Sequence, residues 1–348
     1  MPAPRNPPRR STMRDVATRA GVSLQTVSNF VNGRLDQMSE ETQKRVQQAL
    51  EQLDYHPDIS AQGLRSARTR TLGFLVLDEH QAFLADPLTA QLIAGVGDVA
   101  RDARFGILIQ GGSPSDRSDD LLAPFSERRI DGAFVLLTGD PEVRQDHIDR
   151  LRDGGHEFVL FDEVVDDGSI PTVRAAERDG GRRLTEHLLE AGHRRIAFVA
   201  ARVPWAVLEQ RFLGYKDALE AAGIGIKTDL ARFEARGYGP ADGADIVRRL
   251  LGGPDPPTAI IGGSDLLALA TMRVVRDLGL RVPDDVAVAG FDDFDFAALV
   301  DPPLTTVAVP GYEMGRAAAT MLIDRLGGRQ SVVQQSVFGV ELKIRGSS

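Results

Sequence analysis

Residues 12–32, TMRDVATRAGVSLQTVSNFVN, decide how the chain is read. They describe two short amphipathic helices around a tight turn. Met13, Val16, Ala17 and Ala20 recur at i, i+3, i+4 and i+7, which makes one apolar stripe. Gly21 ends that helix, because glycine takes a positive φ without steric cost. Ser23 is placed to cap a second helix, in which Val27, Phe30 and Val31 form another stripe. Two helices joined by so short a turn cross steeply, as a helix-turn-helix. The polar residues left on the second helix, Gln25, Thr26, Ser28, Asn29 and Asn32, are expected to face outward. Amides read base edges through paired hydrogen bonds, and hydroxyls hold phosphates. Nucleic acid is therefore the expected partner; a surface helical hairpin inside a larger domain is the alternative.

The 348 residues carry a net charge of −9, which taken alone argues against a polyanionic partner. The distribution reverses this. Residues 1–70 hold 11 Lys/Arg against 7 Asp/Glu, and the remainder hold 30 against 43. A basic head on an acidic body confines nucleic-acid contact to the head. The opening MPAPRNPPRR has no apolar stretch of the signal-peptide kind, and residues 1–11 read as a disordered basic arm. There is no cysteine, so disulfides and thiolate metal sites are excluded, which fits a cytoplasmic setting. No apolar run approaches the length of a membrane span.

Ser39 is set to cap a third helix over about residues 40–53, with Val46, Ala49, Leu50 and Leu53 facing inward. Tyr55-His56-Pro57 stops it, and residues 58–70, DISAQGLRSARTR, read as a linker. From Thr71 the texture changes. LGFLVL, FGILIQ, GAFVLL, FVLF, IAFVA, TAIIGG and VAVAGF are short, nearly continuous apolar runs, suited to parallel strands covered on both faces. Helical patterns occupy 87–103, 177–191, 208–222, 240–251, 265–279 and 313–327, the first with Asp86 as cap and Pro87 at its first position. Strand and helix alternating in this way predict doubly wound α/β sheets, two of them at this length, with ligands beyond the carboxyl ends of the strands.

The whole stretch from Thr12 to Arg345 resembles the lactose-repressor-type (LacI/GalR) family of bacterial transcription regulators. The resemblance is carried, in order, by TMRDVATRAGVSLQTVSNFVNG, DYHPDISAQGL, HLLEAGHRRIAFV, RFLGYKDALEAAGI, LRVPDDVAVAGFDD and PPLTTV. It implies an all-α helix-turn-helix headpiece (12–57), a hinge (58–70) and an α/β periplasmic-binding-protein-like core (71–348) of two doubly wound parallel-sheet lobes. The lobes are expected at about 71–172 with 305–335, and 173–304 with 336–345. It also implies a homodimer on pseudo-palindromic double-stranded operator DNA, with a small-molecule effector, a sugar, held between the lobes. The ending LKIRGSS has no leucine heptads, which argues against a tetramerising coil.

By position in the resembling motif, Leu24, Gln25 and Asn29 are the base readers. Thr12, Ser23, Thr26, Ser28 and Asn32 fall to the DNA backbone. The family commonly has Arg where Asn29 stands. Arg suits guanine and Asn suits adenine, so the half-site is expected to differ there. Leu64 matches the family's hinge leucine, a wedge into the minor groove, with Ala61 beside it and Arg65 reaching the backbone. Gly63 disfavours a free helix, so the hinge is expected to fold only on DNA, which gives an effector a route to control binding.

In the core, Asp162, Arg211, Ser264, Asp265 and Asp292 match the family's ligand-contacting positions. Carboxylates and a guanidinium between two lobes suit the hydroxyls of a sugar. Trp205 and Phe83 are the candidates to stack on its apolar face. Two departures stand out. Ser264 replaces the family's usual Asn, and Ala176-Glu177 replaces the usual Asp-Asn. Repression by a sugar-responsive protein is the primary expectation; a sugar-phosphate or nucleobase effector, or activation, is the alternative. An enzyme is disfavoured. GVGDVA (95–100) imitates a dinucleotide fingerprint inside a helix, no Walker A, GxSxG or HExxH motif occurs, and the histidines lack metal spacing. No catalytic residue, metal or cofactor is expected. A secreted sugar-binding protein would need a signal peptide and no headpiece.

Overall fold

A computed structural model describes residues 11–31, 34–55, 68–78, 83–113, 121–165, 168–227, 229–235, 243–329 and 334–348. The chain divides into two compact units, Met1–Thr69 and Arg70–Ser348.

In the first unit, α1 (Met13–Ala20) begins with a capping box. The Thr12 hydroxyl accepts from Asp15 N, and Thr12 N donates to the Asp15 carboxylate at 2.8 Å. Gly21 ends the helix at φ 62°. α2 (Leu24–Val31) starts at Ser23, whose Oγ accepts from Thr26 N at 3.1 Å. α3 (Glu40–Gln52) is capped by Ser39. Val16, Ala17, Ala20, Val27, Val46 and Ala49 make the buried centre, with Leu50, Leu53 and Tyr55 packed against it. Arg45 of α3 donates to the carbonyls of Ala20 and Gly21, pinning the turn between the first two helices. The expected hinge residues Ala61, Leu64 and Arg65, and Asn32, lie outside the described residues.

In the second unit, β1 (Thr71–Leu77), α4 (Pro87–Asp102), β2 (Gly106–Gly112), α5 (Ala123–Ser126) and β3 (Gly132–Leu137) follow one another. Next come α6 (Pro141–Asp153), β4 (Phe158–Phe161), β5 (Thr172–Ala175) and α7 (Glu177–Glu190). Then β6 (Ile196–Ala201), α8 (Ala206–Ala221), β7 (Ala231–Ala235), α9 (Ala244–Leu251), β8 (Ala259–Gly262), α10 (Asp265–Asp277) and β9 (Ala287–Asp292). The chain closes with β10 (Thr305–Ala308), α11 (Gly311–Leu326), β11 (Gln335–Phe338) and β12 (Glu341–Lys343).

These strands make two sheets, ordered β11-β5-β4-β3-β1-β2 and β12-β10-β9-β8-β6-β7. The second repeats the first strand for strand, so β4 and β9 hold equivalent places. All pairings are parallel except β10 with β12. Each sheet is packed against one closely paired set of helices, α4 with α11 for the first and α7 with α8 for the second. In one pair, a Cβ on Gly95 of α4 would lie 2.0 Å from Tyr312 O of α11, and one on Gly315 would lie 2.2 Å from Leu92 O. In the other, Gly181 of α7 and Gly214 of α8 would meet the facing backbone at 2.1 and 2.0 Å.

The strand pairing moves the expected lobe boundaries. β5 belongs to the first sheet, β10 to the second, and β11 to the first. The crossings therefore lie just after Ala175, after Ala308 and after Phe338, within a few residues of the approximate bounds expected. A parallel strand stays with its sheet to its carboxyl end, and the short TVRA and TTVA runs hide that end in the sequence.

Candidate functional site

The exposed face of α2 carries an amide chain. Gln25 Nε2 donates to Asn29 Oδ1 at 3.0 Å, and Asn29 Nδ2 donates to Gln37 Oε1 at 2.8 Å. Gln37 lies in the one-turn 3-10 helix Leu35–Gln37 that follows α2. No periodic pattern marks that turn in the sequence, so nothing there points to Gln37 as part of this face. Leu24 is 45 % exposed at the start of α2. Ser23 and Thr26 share a hydroxyl contact of 2.8 Å beside it. Ser28 corrects an expectation: it is buried, next to Val27. Position 28 lies one residue after Val27 and three before Val31, so it turns to the inner edge of the stripe. Thr12 is exposed, and its side chain caps α1.

A second set of polar residues gathers at the carboxyl ends of the two sheets of the larger unit. Asp162 follows β4, Asp292 ends β9, Asp86 caps α4 after β1, and Glu177 opens α7 after β5. Arg211, on α8, stands at their centre and is 1 % exposed. Its Nε donates to Glu177 Oε2 at 2.7 Å and its Nη2 to Glu177 Oε1 at 3.1 Å. Nη2 also donates to Asp292 Oδ1 at 2.6 Å, and Nη1 to Gly263 O at 2.8 Å. The guanidinium lies 4.6 Å over the Phe291 ring. Burial works against its charge, but Asp292 and Glu177 outweigh that and hold Arg211 protonated.

Asp162 is the opposite case. It is buried, and among the described residues neither carboxylate oxygen has a hydrogen-bond donor. Burial pushes its carboxyl well above the usual range, Glu177, Glu163 and Asp292 push the same way, and Arg211 opposes. Asp292 is raised to about 6, by burial first and by Glu177 and Asp86, against the pull of Arg211. Burial likewise raises Asp86, against hydrogen bonds from Thr89. Both Asp162 (φ 61°) and Asp292 (φ 106°) have left-handed backbone. Such strain at equivalent strand ends marks places where the fold aims a side chain at a particular point.

Other expected residues fall differently. Asp265 is fully buried and faces the interior of the second lobe. Its Oδ1 accepts from Thr306 Oγ1 at 2.5 Å and its Oδ2 from Phe294 N at 3.0 Å. Both oxygens are spent tying α10 to the strand ends, so the expected ligand contact becomes a positioning role. Ser264 Oγ caps α10 by accepting from Leu267 N at 3.4 Å. Trp205 and Phe83 are half-buried against the core, and the Phe83 ring covers Gly111 at the end of β2.

A third contact crosses between the lobes. Arg144 of α6 pairs with Glu163, the residue after Asp162, at 3.2 Å, and with Glu209 of α8 at 3.3 Å. Burial pushes Glu163 up to about 7, with Arg144 opposing. Gly139 N also donates to Pro204 O across the same junction at 2.8 Å. Asp86 reads only as a helix cap in the sequence, and Glu163 gives no signal beyond its place next to Asp162. Among the described residues, no group of three His, Cys, Asp or Glu has metal-binding geometry, and no helix is long and apolar enough to cross a membrane.

Comparison with known proteins places both halves. The family described as "Bacterial regulatory proteins, lacI family" matches residues 12–58, and "Periplasmic binding protein-like domain" matches residues 185–348. The HTH-type transcriptional regulator CelR of Thermobifida fusca is 33% identical over 97% of this chain and 98% of its own. The HTH-type transcriptional repressor CytR of Escherichia coli K12 is 31% identical over 97% and 96%. Among solved structures, a CelR-cellobiose complex covers 97% of this chain and 100% of its own at 32% identity, TM-score 0.72. A lac repressor dimer bound to operator and the anti-inducer ONPF covers 97% and 99% at 26% identity, TM-score 0.84.

Proposed function

This chain belongs to the lacI family of bacterial regulatory proteins, and from that membership we propose that it is a sequence-specific DNA-binding repressor of carbohydrate-utilisation genes, acting in the cytoplasm. It binds a pseudo-palindromic operator as a homodimer, and a small sugar bound between the core lobes changes operator affinity. In this reading it is a regulator and not an enzyme. Residues 1–11 are a basic arm, 12–57 the headpiece, 58–70 the hinge and 71–348 the effector core.

At the DNA, Leu24, Gln25 and Asn29 meet base edges. Thr12, Ser23, Thr26 and Asn32 serve the backbone side, and Ala61, Leu64 and Arg65 the operator centre. The observation that carries the effector site is Asp162: a buried carboxylate with two acceptors and no donor, beside a fixed guanidinium. A buried acceptor left unmade is costly, and ligand hydroxyls are the donors that would satisfy it. Asp292 and Arg211 form the floor, with Ser264, Phe83 and Trp205 on the walls. A sugar phosphate is disfavoured, because its charge would meet Asp162, Glu177 and Asp292 together.

Two measurements test this. Selection from random double-stranded DNA should return a two-fold symmetric site; recovery of no consensus overturns operator recognition. Thermal melting of the full chain against mono- and disaccharides should single out one sugar, since a ligand at a thousand times its dissociation constant adds roughly 4 kcal/mol. Stabilisation only by phosphates or purines overturns the sugar.

A further inference from the structure

The charges around Asp162 narrow the class of effector that the cleft can take. Four carboxylates, of Asp86, Asp162, Glu177 and Asp292, act on one another around the guanidinium of Arg211. Arg211 has its Nε and both Nη groups donating to the chain itself. Glu177 accepts from it through both carboxylate oxygens and Asp292 through one. Four of the five N–H groups of the fork are thus already taken within the chain, which leaves one on Nη1 for the oxygens of a neutral sugar. What remains is the carboxyl of Asp162, buried and with no donor to either oxygen, which in its ionised form only accepts.

Resting on the reading of this cleft as the effector site, we propose that the effector carries a positive charge, and that it is a polyhydroxylated amine. It is an amino sugar with a free ammonium, bound through Asp162, with Glu177 setting the preference for the cation. An ammonium supplies three donors and no acceptor, the complement of a carboxylate with none of its acceptors used. It also offsets the surplus of negative charge, which a neutral hydroxyl does not. Glu177 acts without leaving Arg211: by occupying the guanidinium it removes an anion- and oxygen-binding group, and its own charge favours a cation nearby. The groups facing Asp162 are Glu177, Glu163 and Asp292 on the negative side and Arg211 on the positive. Burial among them favours protonated Asp162 when no cation is present. Binding of an ammonium favours the ionised carboxylate, so association releases a proton.

The test is isothermal titration of the full chain at pH 6.5 with D-glucosamine and its β-1,4-linked dimer. Their N-acetyl forms, glucose, cellobiose and glucose 6-phosphate serve as comparisons. The free amines should bind roughly tenfold or more tightly than the N-acetylated forms, the scale of a hydrogen bond to a charged group. Titrations in two buffers of different ionisation heat should report proton release with the amines alone. Glu177→Gln should narrow the preference for the amine several-fold, with Asp292 and Gly263 still holding Arg211; a melting curve checks that the variant folds. Asp162→Asn should abolish the preference. Equal or tighter binding of neutral, N-acetylated or phosphorylated sugars overturns the cation while leaving the cleft as the effector site. Binding of no sugar of any kind overturns both readings.

Discussion

Asn29 is held from both sides by other amides, Gln25 on its own helix and Gln37 on the turn beyond. An amide fixed in this way presents a defined donor and acceptor pair, the geometry that suits adenine. Asn29→Arg should move the selected half-site toward guanine at one position; an unchanged consensus would remove Asn29 from base reading. Gln37→Ala should loosen the preference at the same position and leave the rest of the site intact. Asp162 offers a test of the other kind. Asparagine tolerates its positive φ and removes the buried charge, and neighbouring carboxylates supply acceptors for the new amide. The raised carboxyl of Asp162 means that its ionisation, as pH rises, costs the folded state. Asp162→Asn should therefore melt above the parent at pH 8 and draw closer to it at pH 5, becoming level only below the ordinary value of 3.8, while losing the stabilisation by effector. A variant that melts lower at both values would contradict the buried, donorless carboxylate.

Helices α4 and α11, and α7 with α8, approach so closely that only glycine fits between them. Gly95→Ala and Gly214→Ala should each cost on the order of 2 kcal/mol, because the new methyl would meet backbone and not a movable side chain. Gly97→Ala, a short step along the same helix as Gly95, meets nothing nearer than 3.9 Å. It should be neutral or stabilising by up to ~1 kcal/mol, from helix propensity. Urea midpoints of the three variants decide this; equal losses would deny the close approach. The same packing explains why GVGDVA imitates a nucleotide fingerprint: its first glycine serves a helix contact. Elements with strong patterns were legible, notably α1 to α3, the apolar strands and the caps at Ser23, Ser39 and Asp86. Those that failed had weak ones. The α6 segment, PEVRQDHIDRLRD, buries only Ile148, Leu151 and the cation Arg144, too few apolar positions to signal a helix. β5, β7, β10, β11 and β12 are three to five residues long, mixed in polarity, and owe their state to partners distant in sequence. In the site, Asp162, Arg211 and Asp292 were legible because a motif marks them. Glu177 registered as a departure from a pattern, but its grip on Arg211 depends on a contact 34 residues away. Asp265 was open between ligand contact and helix start, because a helix-start aspartate looks alike whether it faces a cleft or a core.

Across the whole core, Arg144 joins Glu163 of one lobe to Glu209 of the other. Glu163 titrates at about 7, above its ordinary value. A carboxyl raised on folding stabilises most when protonated, so its contribution is full below the unfolded value and is lost as pH rises through about 7. Asp162 and Asp292 shift in the same direction. The melting temperature of the full chain should therefore fall between pH 5 and pH 8, and Glu163→Gln should make that fall shallower without removing it. An identical slope in the variant would mean that the junction does not titrate there. The chain crosses between the sheets three times, after Ala175, Ala308 and Phe338, and each sheet takes an edge strand from residues 335–343. On the ribosome this ordering has a cost in time. The three-helix head has all its parts once residue 55 has emerged, whereas neither lobe can complete its sheet until the last strands are made. At ordinary rates of synthesis that interval is on the order of tens of seconds. Every nascent copy thus passes through a period as a finished reader attached to an unfinished sensor, and a product cut short before β11 would keep the first and never gain the second.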